Sequence, residues 1–158
     1  MREKPDAVAR VEADADAKGL KIAIVETAQS ARSAEEAAKA VGADVGQIVK
    51  SLVFKGATSG QAYLLLVSGA NRVDEALMAG HFGEALERPD ADFVRQATGF
   101  AIGGVSPLGA SSKLSTLMDE DLFQHATVWA AAGTPRHVFE VVPLQLRSAT
   151  GATVGRVA

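Results

Sequence analysis

Two strand-like runs separated by a short turn constrain this chain more than anything else in it. Ile48-Val49-Lys50-Ser51-Leu52-Val53-Phe54 has the β-branched content and alternation of a strand. Gly56-Ala57-Thr58-Ser59-Gly60 supplies the turn, and Gln61-Ala62-Tyr63-Leu64-Leu65-Leu66-Val67 the return arm. The second arm is almost wholly apolar, which predicts a central strand covered on both faces. Any fold must therefore build a sheet around this hairpin. Lys50 lies inside the first arm. Pointing outward it would be a solvated strand residue; pointing inward its charge must meet a partner or a ligand, because an unpaired buried ammonium is costly.

The surrounding punctuation predicts helices at the edges of that sheet. Asp6–Lys18 reads as a helix ended by Gly19, and Lys21–Glu26 as a strand. Ser33 and Glu36 form a capping box for a helix that Gly42 ends. Asp44 caps a short turn through Gln47. Val73–Phe82 and Pro89–Thr98 read as helices, the latter capped by Asp90 or Asp92. Strands are predicted at Phe100–Ile102, Thr127–Ala132, His137–Val142 (pairing back on the preceding run) and Thr153–Val157. Pro143 opens a short helix through Arg147. Strands and helices interleave irregularly, so the expected class is α+β: a mixed sheet with peripheral helices.

Composition removes whole classes of function. The 158 residues are expected to form a single domain, large enough to fold without a staple. With no cysteine there is no disulfide scaffold, thiolate metal site or cysteine nucleophile. Sixteen basic against nineteen acidic residues give a net charge of -3, which argues against extended duplex DNA binding but not against contact with one end of an RNA. Met1–Asp6 is charged, and no run approaches the roughly 20 apolar residues that span a bilayer. The expected location is the cytoplasm, with no membrane partner.

Gly103-Gly104-Val105-Ser106-Pro107-Leu108-Gly109 is the most informative loop. Adjacent glycines let backbone N–H groups approach a ligand, and Pro107 limits the conformations of Ser106 and itself. It reads equally well as a tight connection. Gly104–Leu108 lacks the last glycine of a nucleophile elbow, and no phosphate-binding loop occurs. His81, His125 and His137 do not make a metal set, and Asp119-Glu120-Asp121 reads as a charged helix start. No metal and no cofactor is expected.

The lysine strand, its apolar return arm and Thr98–Gly109 together resemble the YbaK/ProX family, stand-alone relatives of the editing domain of bacterial prolyl-tRNA synthetases. The resemblance runs from about residue 21 to 150. It implies a curved mixed sheet around a pocket and hydrolysis of a mischarged aminoacyl-tRNA. It puts the family's lysine on Lys50 and its glycine–proline loop on Gly103 through Pro107. Gly103 and Gly104 would act through their N–H groups. Ser106, Pro107, Gly133 and His137 would border the substrate. Thr134-Pro135-Arg136-His137 departs from the pattern of the cysteine-clearing branch, leaving alanine, cysteine, serine, threonine or a small analogue as the amino acid removed, on tRNA for proline. Arg72, Lys113 and Arg136 are candidates to meet the acceptor end. Prolyl-tRNA synthetase is an implied partner and a monomer the implied state. The competing readings are a non-catalytic tRNA or synthetase adaptor and, disfavoured by charge, a DNA-binding regulator.

Overall fold

The computed structural model describes residues 4–158. The hairpin is its centre: β2 (Val49–Gly56) pairs antiparallel with β3 (Ala62–Ser68), with Lys50 opposite Val67 and Phe54 opposite Tyr63. β3 is central as expected, with Leu65, Leu66 and Val67 fully buried. It pairs parallel with β5 (Ser115–Asp119), which pairs parallel with β8 (Thr153–Gly155). At the other side, β4 (Leu86–Glu87) meets only Lys55 and Gly56 of β2. The result is a mixed sheet ordered β4-β2-β3-β5-β8.

A second, antiparallel sheet is ordered β1-β7-β6, from β1 (Ile24–Glu26), β7 (His137–Val141) and β6 (Val128–Ala131). The two sheets touch through one parallel bridge, Ile48 to Trp129. The α+β class with peripheral helices holds, but the strands form two sheets that meet at this bridge.

Five helices surround them among the described residues: α1 (Asp6–Ala17), α2 (Ala34–Val41), α3 (Glu75–Phe82), α4 (Ala91–Thr98) and α5 (Pro143–Thr150). Ser33, Asp74 and Asp90 cap α2, α3 and α4 by accepting from the N–H groups of Glu36, Leu77 and Phe93. None is long and apolar enough to cross a membrane.

The main core joins Val11, Leu64, Leu66, Phe100, Met118 and Phe139 between the sheets and α1. A smaller cluster of Phe54, Tyr63, Leu65, Val67 and Met78 packs on the other face of the hairpin. Phe100–Ile102 is not a strand. Phe100 is instead an anchor, buried beneath the Arg10 guanidinium, and its N–H goes to Thr98 Oγ1 at 3.0 Å. A side-chain acceptor thus takes the place of a strand neighbour.

Candidate active site

β2 is paired fully on one side only. From Lys50 to Phe54 its other edge has no hydrogen-bonded strand partner, because β4 pairs only as far as Lys55 and β6 bridges only to Ile48. A cavity of about 830 Å³ opens along that edge, between β2, the Gly103 loop and the edge strand β6. This is within the usual range for small-molecule sites, roughly 300–1,000 Å³. Val49, Val94, Val105, Ala130 and Ala131 make one part of its wall apolar.

Lys50 lines this cavity and is half-buried. Its ammonium donates to the main-chain oxygen of Asn71, in the loop that leaves β3. Asn71 is held in turn: its amide donates to Asp119 and Asp121, at 2.8 Å each. Asp119 is buried and also accepts from the N–H groups of Ser68 and Asp121. The anchor of the lysine therefore reaches into the centre of the sheet. Burial pushes the Lys50 pKa down; Glu35 and Asp119 oppose this, and Arg72 adds to it.

Gly103 lines the same cavity. Its φ of +92° lies in the left-handed region that favours glycine, and an added Cβ would meet only Pro135 Cγ, at 3.7 Å. Gly104 has a different task. Its N–H donates to Ala101 O at 3.0 Å, and an added Cβ would lie 2.5 Å from the carbonyl oxygen of Gly133. Gly133 has no room either, because its Cβ would lie 2.8 Å from the backbone of Ala7. The two glycines thus let the loop, the β6–β7 turn and α1 close on one another.

The other expected residues scatter. Ser106 and Pro107 are buried inside the loop, with Ser106 Oγ accepting from Leu108 N–H. His137 stands behind the cavity wall, in a second hollow of about 600 Å³ that shares Thr134 and Pro135 with the first. Its Nδ1 is 2.5 Å from Thr134 Oγ1, and its Nε2 is 3.6 Å from Glu26. Arg72 reaches the cavity; Lys113 lies in a separate hollow. Arg136 donates to the carbonyls of Thr27 and Ala28 and pairs with Glu26.

Sequence reasoning missed Arg32 and Arg88, which join Arg72 on the cavity lining, and Ser51. Arg32 directly precedes the Ser33 cap, a position from which a long cation can reach over the start of α2. Nothing in the sequence marked Arg88. Among the described residues, no group of three His, Cys, Asp or Glu side chains could hold a metal ion.

Residues 28–149 match the model of the aminoacyl-tRNA editing domain. The chain is 29% identical over 123 residues to the uncharacterized protein YwhH of Bacillus subtilis (strain 168), covering 78% of each. It is 28% identical over 119 residues to the "putative Cys-tRNA(Pro)/Cys-tRNA(Cys) deacylase EbsC" of Enterococcus faecalis (strain ATCC 700802 / V583), covering 75% of this chain and 72% of that one. Among solved structures, a "putative trans-editing enzyme for prolyl tRNA synthetase" superposes with a TM-score of 0.92 at 46% identity, covering 98% of both chains. The hypothetical protein APE2540 gives 0.86 at 28% identity, over 94% of this chain and 98% of that one.

Proposed function

The chain belongs to the aminoacyl-tRNA editing domain family, and from that premise we propose that it is a trans-acting deacylase clearing a small amino acid from mischarged tRNA for proline. The observation that carries this reading is that Lys50 and Gly103 line one cavity along the open edge of β2. The likeness to proteins named as a trans-editing enzyme and a Cys-tRNA deacylase supports it.

The chemistry asks little of the protein. An aminoacyl ester is already activated, so positioning and charge stabilisation suffice. Water adds to the carbonyl carbon, negative charge grows on the carbonyl oxygen, and the ester C–O bond breaks. The proton lost by the water ends on the departing ribose oxygen. The Gly103 N–H serves as an oxyanion donor; one such donor is commonly worth about 3 kcal/mol. Gly104 serves by close packing, since its own N–H is spent on Ala101. Lys50, protonated, cannot act as a base, so it holds the terminal phosphate or ribose of the tRNA or steadies the ester carbonyl. Arg32, Arg72 and Arg88 are suited to the phosphates that follow.

Selection rests on the apolar wall. A methylene more or less is worth only about 1–3 kcal/mol to a synthetase, so small errors escape and a second sieve is useful. A substrate drawn from translation puts this work in the cytoplasm. The test is a deacylation panel on tRNA for proline carrying alanine, cysteine, serine or threonine, with prolyl-tRNA as control. Turnover of one or two mischarged species, with prolyl-tRNA spared, supports the reading; no turnover of any would leave an adaptor.

A further inference from the structure

Ser51 carries the only buried side-chain oxygen or nitrogen, among the described residues, without a hydrogen-bond partner. It stands in the middle of the open edge of β2 and lines the cavity. The ladder fixes where its main chain points. Gly69 N–H bonds Ile48 O, and Gly56 N–H bonds Gln61 O. In an antiparallel pair the bonded residues recur every second position, so Lys50, Leu52 and Phe54 bond to β3. The N–H and C=O of Ser51 are therefore directed to the other edge, where neither β4 nor β6 pairs with it. One residue thus brings a donor, a carbonyl acceptor and an orphaned hydroxyl to one stretch of the cavity.

We infer that Ser51 receives the α-amino group of the aminoacyl moiety, which docks on β2 as a single residue of an added strand. The inference rests on the deacylase reading and deepens it. An aminoacyl ester has its nitrogen and carbonyl spaced as in any chain residue, so it can exchange the two bonds of a strand pair. The ammonium donates to Ser51 O and Oγ, and the ester carbonyl accepts from Ser51 N–H beside the Gly103 donor. Strand alternation sends the Lys50 side chain to the opposite face from that of Ser51, which spares the ligand's ammonium a like charge. Recognition of this kind reads what all aminoacyl esters share. It leaves selection among them to the apolar wall.

The test compares the best substrate of the panel with its α-hydroxy counterpart, in which a hydroxyl replaces the ammonium at nearly the same size. The wild-type protein should prefer the aminoacyl ester. In Ser51→Ala that preference should fall about tenfold, the scale of one hydrogen bond to a charged group. The variant's melting temperature should be unchanged or higher, because an unpaired buried hydroxyl has been removed. A wild-type protein indifferent to the replacement, or a preference unchanged in Ser51→Ala, overturns the inference while leaving the deacylase intact. A wild-type protein inert on every charged tRNA removes the deacylase reading, and this inference with it.

Discussion

The Lys50 ammonium is tethered to the main-chain carbonyl of Asn71 rather than to a carboxylate. A carbonyl carries no full charge, so it holds the ammonium in place without neutralising it, and the positive charge remains available to a ligand. Replacing Lys50 by alanine should cost deacylation about a hundredfold or more, the scale of one lost donor in a preorganised site. Steady-state kinetics on a mischarged tRNA checks this, with a thermal melt to show that the fold persists.

The carboxylate behind the tether should matter for stability first. Asp119 accepts from Ser68, Asn71 and Asp121. Asp119→Ala leaves these donors unmet in a buried site, for a loss of about 3 kcal/mol or more. Chemical denaturation should show it as a lower midpoint. The loop that carries Asn71 should loosen as well, so the folded fraction of this variant should also turn over more slowly.

The two loop glycines should respond differently. At Gly104 an added methyl meets backbone, 2.5 Å from Gly133 O, and nothing there can step aside. Gly104→Ala should lower the melting temperature and disrupt the site together. Gly103→Ala has open space and suffers only its left-handed φ, a cost of about 1–2 kcal/mol. Melting curves for both variants rank them, with Gly104→Ala the lower.

Two pH effects follow from the electrostatics. Burial lowers the Lys50 pKa, so its charge is lost at a lower pH than that of a free lysine. After correction for spontaneous ester hydrolysis, kcat/KM should therefore decline on the alkaline side before ordinary lysines titrate. Glu84, bonded to Ser59, Tyr63 and the N–H of Thr58, has its pKa lowered to about 2 from 4.5, mainly by the Ser59 and Tyr63 hydroxyls. Its contribution is fully present above 4.5 and is lost as pH falls from there to about 2. Glu84→Gln should flatten that acid limb in a series of melts.

The hairpin was legible because its first arm alternates, its second is almost wholly apolar, and the turn between them is short. The caps at Ser33 and Asp90 were legible because they act within three residues of themselves. β5 and β4 were not: β5 exists because β3 offers it a parallel edge, and β4 has only two residues. At the site, Lys50 and Gly103 could be found by family likeness. Ser51 could not, because its importance depends on an edge left open by two other strands. His137 sits only four residues past Gly133, yet the β6–β7 turn carries it behind Thr134 and Pro135. Sequence distance does not record which side of a wall a residue takes.

On the proposed reading, Lys50 and the Gly103 loop act on one ester in one cavity. Single-turnover deacylation of the best mischarged tRNA by the wild-type protein, Lys50→Ala, Gly103→Ala and the double variant measures that coupling. Residues acting on one substrate are non-additive. Gly103→Ala keeps its N–H but strains the φ of +92° that aims it, so both single variants should be slow and the double variant scarcely slower than the worse of them. Wild-type rates in both single variants, with each protein folded at the assay temperature, would rule the reading out.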